Sequence, residues 1–415
     1  MKNKIYLLYI LYIFSFTVSC MGVNSTGKQK FNYEKLYSQT NAVVDTKPIN
    51  NISNETAAQI VDKMKFGWNL GNTLDAHSSI SLNAGLSTET CWGQPKTTQA
   101  MIQGIKAKGF NTIRIPITWH GHFIDKNYTI DPNWINRVKQ IVDWAIEEGL
   151  YVIINIHHDS VHPSQLSYAK GYAPSSTNKD ESMRFLYNVW CQITTAFNNG
   201  YDEHLIFETM NEPRLPGDSH EWSWNENCST CKDCMKCINE YNQLILDIIR
   251  SSGGNNAKRL VMVPSYVASP DAAFKSSFKL PKDSVPNKLA LSVHMYTPYD
   301  FAMKDPGDVD FTQNHKYTLD YYFRELNSRF VSKGIPVVIG EMGATNKNNL
   351  EDRKEWFSYF LGKTKEYKMA ACLWDNGHYK IPTSGSFNEL YGYYDRKNQS
   401  WFFPGLVKTG IDARN

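Results

Sequence analysis

From about residue 55 onward, short apolar runs rich in β-branched residues alternate with longer stretches in which apolar positions recur every three or four residues. The runs read as strands: MKFGWNLGN at 64–72, FNTIRIPIT at 110–118, YVIINIHH at 151–158 and LIFETMNEP at 205–213. RLVMVPSY at 259–266, LALSVHMY at 289–296, PVVIGEMG at 336–343 and AACLWDNG at 370–377 complete a set of eight. Between them, TTQAMIQGIKAK and DPNWINRVKQIVDWAIEEG have helical spacing. The second starts on an Asp131 cap with Pro132 in its first turn and closes on Gly149, as helix ends prefer. Near-continuous apolar strands are buried on both faces, which requires a parallel sheet covered by helices. Eight such units predict an α/β fold, a closed (β/α)8 TIM barrel forming a single catalytic domain over residues 55–415. A doubly wound open sheet is the alternative; it would usually carry a Gly-rich phosphate loop after its first strand, and GWNLGN is not one.

The chain before residue 55 has a different texture. Lys2 and Lys4 precede the apolar run IYLLYILYIFSFTV, which is too short for a comfortable membrane span and ends in small residues, so residues 1–20 read as an export signal. TVSC at 17–20 resembles a lipoprotein box with Cys20 as the lipid-bearing first residue. Thr17 matches that box poorly, and cleavage nearby with full release is the other reading; the protein is expected to be secreted or a cell-surface lipoprotein. Residues 21–54 are rich in Asn, Ser, Thr and Lys without an apolar period, as a linker is.

Charge and composition narrow the partners. Lys plus Arg number 44 against 41 Asp plus Glu, a net charge of +3 without long basic runs, whereas nucleic-acid binding needs a concentrated positive patch. No nucleic-acid partner is expected. Aromatics are abundant, with 24 Tyr, 20 Phe and 11 Trp, and many stand beside loop-forming residues; exposed aromatic faces suit flat, amphipathic ligands such as sugars.

In barrel enzymes the reacting groups stand at the carboxyl ends of the strands. Here strand after strand ends in a polar or aromatic candidate: Asn72, Arg114, His157 with His158, Asn211 with Glu212, His294 with Tyr296, Glu341, and Trp374 with Asp375. One such residue alone reads as a satisfied structural group, but the habit repeats at seven strand ends. Glu212 and Glu341 lie in otherwise apolar or small surroundings, where a charge is costly unless used. Opposed strand ends can place two carboxyl groups on either side of a sugar linkage, one protonated and one ionised, with Asn211, Arg114 and Tyr296 available to push them apart. HHD at 157–159 invites a metal-site reading, but the other ligands of such a site are missing from the strand ends, and no metal or cofactor is expected.

IRIPITW, INIHHD, FETMNEPR, SVHMYTP, VVIGEMG and LWDNG, in this order, closely resemble glycoside hydrolase family 5, and GWNLGNTLDA with CWGQPKTT resembles its subfamily 4 endoglucanase branch. The resemblance runs from about residue 54 to the end. It implies a retaining endo-β-1,4-glucanase acting on cellulose and related β-glucans, with Glu212 as acid/base and Glu341 as nucleophile. It also implies that Arg114 and Tyr296 hold Glu341, Asn211 binds the sugar 2-hydroxyl, His157 and His294 complete the subsite, and Trp374 forms its floor. His158 is expected behind them. A xyloglucanase, mannanase or xylanase on the same two glutamates is the rival within the class, and a silent carbohydrate-binding barrel the rival outside it. A monomer is expected. His120 and His122 either line the cleft or cap a loop; Trp92, Trp119, Trp222 and Trp224 either stack glucose units or pack.

CSTCKDCMKC, Cys228 to Cys237, begins fifteen residues after Pro213. Its spacing fits neither a ferredoxin run nor paired zinc knuckles. It leads into INEYNQLILDIIR and is expected to form that helix's first turns, where thiols three residues apart sweep round the axis and cannot all meet one ion. Export favours disulfides over free thiols, and free thiols over a metal.

Overall fold

Eight short strands close on themselves in a computed structural model that describes residues 52–78, 81–168, 171–382 and 389–415. They are β1 (Phe66–Asn69), β2 (Thr112–Ile115), β3 (Tyr151–Asn155), β4 (Leu205–Glu208), β5 (Val261–Pro264), β6 (Leu289–Met295), β7 (Val337–Met342) and β8 (Ala370–Leu373). Each pairs in parallel with its sequence neighbours, and β8 returns to β1. All eight predicted strands are present, each trimmed to the residues that share the ladder. The export signal, Cys20 and nearly all of the linker lie outside the described residues.

Helix α1 (Ala57–Met64) precedes β1, and α2 (Gln99–Lys108), α3 (Pro132–Glu147), α4 (Lys179–Ala196), α5 (Ser229–Ser251), α6 (Gln313–Arg329), α7 (Leu350–Glu366) and α8 (Pro404–Arg414) surround the barrel. The predicted Asp131 cap is in place, accepting from Asn133 before α3, and Thr98 likewise accepts from the Met101 amide before α2. β5 is followed only by the single turn Pro270–Ala273, so the outer ring is thin there.

The two-residue period of the strands sorts the interior into layers. At the amino end, Tyr151, Ile153, Ile206, Met262, Ala290, Val338, Ala370 and Cys372 form an apolar layer. Helix α1 closes that end by burying Ala57, Ile60, Val61 and Met64 in the same cluster. Two residues further along the strands the interior turns polar, with Asn69, Arg114, Asn155, Glu208 and Ser292 all buried. The β6–β7 and β7–β8 registers shift around His294 and Gly340–Glu341. Such irregularities re-aim side chains, and here they stand at the barrel mouth.

Candidate active site

Arg114, fully buried on β2, organises this polar layer. Its Nε donates to Glu208 Oε2 at 2.9 Å, Nη1 to Asn69 Oδ1 at 2.9 Å and to Glu341 Oε1 at 2.8 Å, and Nη2 to Asn211 Oδ1 at 2.6 Å. Burial alone would lower its pKa, but the charges of Glu208 and Glu341 outweigh that and raise it above the ordinary arginine value. Glu208 is itself closed in by Asn155 Nδ2 at 2.9 Å and the Ser292 hydroxyl at 2.6 Å.

Glu341 lies within β7, and its other oxygen, Oε2, accepts from the Tyr296 hydroxyl at 2.8 Å. Burial and the Glu341 charge push the Tyr296 phenol well above its ordinary pKa, so it acts as a neutral donor. Glu212 sits four residues beyond the end of β4 rather than on it, and its Oε1 accepts from His294 Nδ1 at 2.7 Å. The same nitrogen is 3.6 Å from Glu341 Oε2. One oxygen of each glutamate and one ring nitrogen of His294 all lie within 4.8 Å of one another.

The two glutamates therefore have different surroundings: Glu341 is fixed by an arginine and a phenol, Glu212 by a histidine. Burial pushes the Glu212 carboxyl up, yet the hydrogen bond and charge of His294, with Arg214 and Arg114 behind, bring it below the ordinary carboxylate value. Burial pushes His294 down, and the charge of Glu341 with the Glu212 hydrogen bond brings it above the ordinary histidine value. His294 Nδ1 and Glu212 Oε1 thus stand 2.7 Å apart, placed to share one proton.

Most of the other expected residues converge here. His157 Nδ1 is 3.2 Å from Asn155 Nδ2, and its ring stacks against Trp374 at 5.9 Å and 5°. Burial first, then the nearby charges, keep His157 neutral. His158 points to a second group, with its ring 5.4 Å from Trp92 and 5.8 Å from His77. Asn72 is not the polar end of β1: it lies beyond the strand at φ 54°, its amide donating to Asp75. Asn69, three residues earlier, faces Arg114 instead. Glu208, Asn155 and Ser292 were also missed, although Glu208 is a charge in an apolar run in the same way that Glu212 is.

The open alternatives divide. His122 stacks on Trp134 at 3.6 Å and burial drops its pKa to about 3, so it packs. Trp119 is fully buried with its indole on the Asn155 carbonyl. His120 is tied to Asp159, and Trp224 packs beside Tyr266. Trp92 is half-buried, its indole donating to the His77 carbonyl. Trp222 alone is prominently exposed, at 62%, with Arg214 lying 3.8 Å from its ring centroid.

The cysteine row does form the start of α5, but the favoured disulfides are not there: all four cysteines are free thiols. Cys228 is the N-cap, and Cys231, Cys234 and Cys237 turn into the protein. Cys234 and Cys237 join the main core as small apolar side chains, where burial raises their pKa values, that of Cys237 to about 11; buried thiols in apolar surroundings are unreactive.

Comparison with known proteins gives the family and the fold. Residues 75–380 match the family model "Cellulase (glycosyl hydrolase family 5)". Endoglucanase B of Ruminococcus albus is 39% identical over 354 residues, 85% of this chain and 79% of that protein. Among solved structures, a broad-specificity subfamily 4 endoglucanase from Ruminococcus champanellensis with bound cellotriose superposes with TM-score 0.79 at 39% identity, over 87% of this chain and all of that one. A family 5 lichenase mutant from Caldicellulosiruptor sp. F32 in complex with cellotetraose superposes with TM-score 0.80 at 40% identity, over 88% and 97% of the two chains.

Proposed function

Because the chain belongs to glycosyl hydrolase family 5, we propose that it is a secreted endo-β-1,4-glucanase that works by double displacement with retention. The observation that carries this reading is the approach of Glu212 and Glu341 to within 4.8 Å, oxygen to oxygen, in unlike surroundings. Oxygens this close are compatible with the separation of about 5–5.5 Å between carboxyl groups that a retaining pair needs, whereas an inverting pair would need about 6.5–9.5 Å to seat a water.

In the first step a Glu341 oxygen attacks the anomeric carbon while the glycosidic C–O bond breaks and the leaving oxygen takes the proton of Glu212. In the second, Glu212 removes a proton from water, whose oxygen displaces Glu341 from the sugar. Arg114 and Tyr296 hold one oxygen each of Glu341 and aim it. His294 holds the shared proton until substrate excludes water from around Glu212; desolvation then favours the neutral acid and moves that proton across the 2.7 Å bond. Asn211, its carbonyl taken by Arg114, offers its amide hydrogens to the 2-hydroxyl, a contact that strengthens in the transition state. Trp374, its ring parallel to that of His157, offers a flat face to one glucose ring. This hydrolysis requires no metal or cofactor.

Two neighbours are named for lichenase and broad-specificity endoglucanase activity, which supports action on several β-glucans. The test is release of reducing ends from carboxymethylcellulose, mixed-linkage glucan, xyloglucan, xylan and mannan, with Glu341→Gln alongside. Loss of on the order of 10⁴-fold or more is expected on the preferred glycan, as when other covalent nucleophiles are removed. A β anomer should appear first, and an α anomer would refute retention. Export rests on Lys2, Lys4 and the apolar run after them; mass spectrometry of the mature amino terminus distinguishes acylated Cys20 from ordinary cleavage.

A further inference from the structure

The loop that leaves Glu212 returns to helix α5 at Cys228, and on its way it brings His220 to the first turn of that helix. One ring nitrogen of His220 and the sulfurs of Cys228 and Cys231 lie within 4.8 Å of one another. We propose that these three side chains form a zinc site, separate from the glycosidase centre, that clamps the β4–α5 loop to α5.

The donor set is the first reason. Two thiols and an imidazole are the soft and borderline ligands that select Zn²⁺, whose bonds of about 2.3 Å to sulfur and about 2.0 Å to nitrogen fit among atoms this close after small side-chain rotations. The other tight groups of possible ligands differ: Glu212, His294 and Glu341, and Asp75, His157 and His158, line the cleft, while Asp202, Glu203 and His204 are consecutive residues without sulfur. Position on the helix is the second reason. Cys228 is the N-cap and Cys231 stands one turn in, with the Cys231 amide 3.5 Å from Cys228 Sγ, so a backbone donor is already directed at the sulfur that becomes a thiolate. The row of four cannot meet one ion, but its first pair can, because His220 comes from another segment.

His220 is held for this contact. Its amide donates to Asp218 Oδ1 at 2.8 Å, and its carbonyl accepts from the Tyr266 hydroxyl at 2.8 Å. Ser219 Oγ lies 3.2 Å from its Nδ1 and Asn225 Nδ2 3.0 Å from its Nε2; the metal replaces one of these and leaves the other to orient the ring. His220 and Cys228 are half-exposed, which gives an ion a way in, and water or the neighbouring Asp218 carboxylate completes the tetrahedron. On binding, each thiol gives its proton to solvent as its metal–sulfur bond forms. The clamped loop carries Trp222, so the ion fixes the tryptophan that is most exposed among the described residues.

The test uses the full chain, reduced, desalted without oxygen and titrated with Co²⁺ and then Zn²⁺. A thiolate-to-cobalt charge-transfer absorption saturating at a single ion per chain, and bleached by Zn²⁺, is expected. Cys228→Ser should abolish the absorption, and since Ser is itself a good N-cap the helix start is kept. His220→Ala should weaken binding by roughly tenfold or more, and Cys234→Ala should leave it unchanged; circular dichroism confirms that each variant folds. Absence of the absorption in wild type, its survival at full strength in Cys228→Ser, or an unchanged cobalt affinity in His220→Ala, would overturn the proposal. So would a Cys228–Cys231 disulfide that forms ahead of metal uptake, read as the loss of a pair of hydrogens in a peptide mass map.

Discussion

Arg114 satisfies four side chains at once, and two of them carry opposite charge to it: Glu208 below and Glu341 above. Glu208 is buried beyond reach of substrate, so its work is to position Arg114, which in turn aims Glu341. Glu208→Gln removes one charge and turns one acceptor into a donor facing Arg114 or Ser292. Breaking a buried pair from one side costs about 3 kcal/mol, and loosening the arginine should lower kcat by about tenfold or more; denaturant melts and initial rates check the two effects. The proton shared by His294 and Glu212 makes a second prediction at this scale. The folded pKa of His294 is raised above 6.5, so its contribution to stability is complete below that value and disappears as pH rises through the folded value. That of Glu212 is lowered from 4.5, so its contribution is present above that value and is lost as pH falls through the depressed one. The pair therefore stabilises most between 4.5 and 6.5. Melting temperatures of wild type and His294→Asn should differ most in that window and converge in alkali, where the alkaline limb of kcat/KM, above pH 6.5, reports loss of the same proton.

At the scale of elements, the motif GWNLGN after α1 is informative because its glycines are close-approach positions. A Cβ on Gly67 would stand 2.6 Å from Cys372 Sγ and 2.9 Å from Thr112 Cβ, the neighbours on β8 and β2. One on Gly71 would stand 2.8 Å from the Asp375 carbonyl and 2.9 Å from the Trp374 ring. Gly71→Ala should therefore displace Trp374 and lower kcat/KM on cello-oligosaccharides by about 10–100-fold, with KM rising, since misplacement by an ångström is costly; steady-state kinetics and tryptophan fluorescence would read it. The sequence carried the elements well because strands buried on both faces are apolar throughout and caps such as Thr98 and Asp131 are local signals. Continuous apolarity also hides which alternate residue faces the axis. That is why the pattern alone does not single out Asn69, Glu208, Asn155 and Ser292, which the register brings to the axis. Glu212 and Asn211 were legible through NEP although they lie beyond the strand, because their chemistry is unusual in any apolar run. The cysteine row shows the converse: the exported compartment favours disulfides, whereas the helix phase sends Cys234 and Cys237 into the core.

Across the whole molecule, stability and chemistry occupy opposite ends of one barrel. The carboxyl end holds the buried polar network of Arg114, Glu208, Glu341, Glu212 and His294, a costly arrangement to bury. The amino end is a dry layer sealed by α1, with Ile60 and Val61 fully buried against strand residues from around the barrel. Shortening a side chain in that seal removes apolar contact and leaves a cavity that the closed strands cannot collapse around, a loss of about 2–5 kcal/mol for Ile60→Ala. The polar layer two residues up each strand is held by its own hydrogen bonds rather than by α1. Ile60→Ala should therefore lower the unfolding free energy while kcat and KM, measured well below the melting transition, stay at wild-type values. A fall in kcat equal to that of Glu208→Gln at the same temperature would show instead that the seal and the site are mechanically one unit.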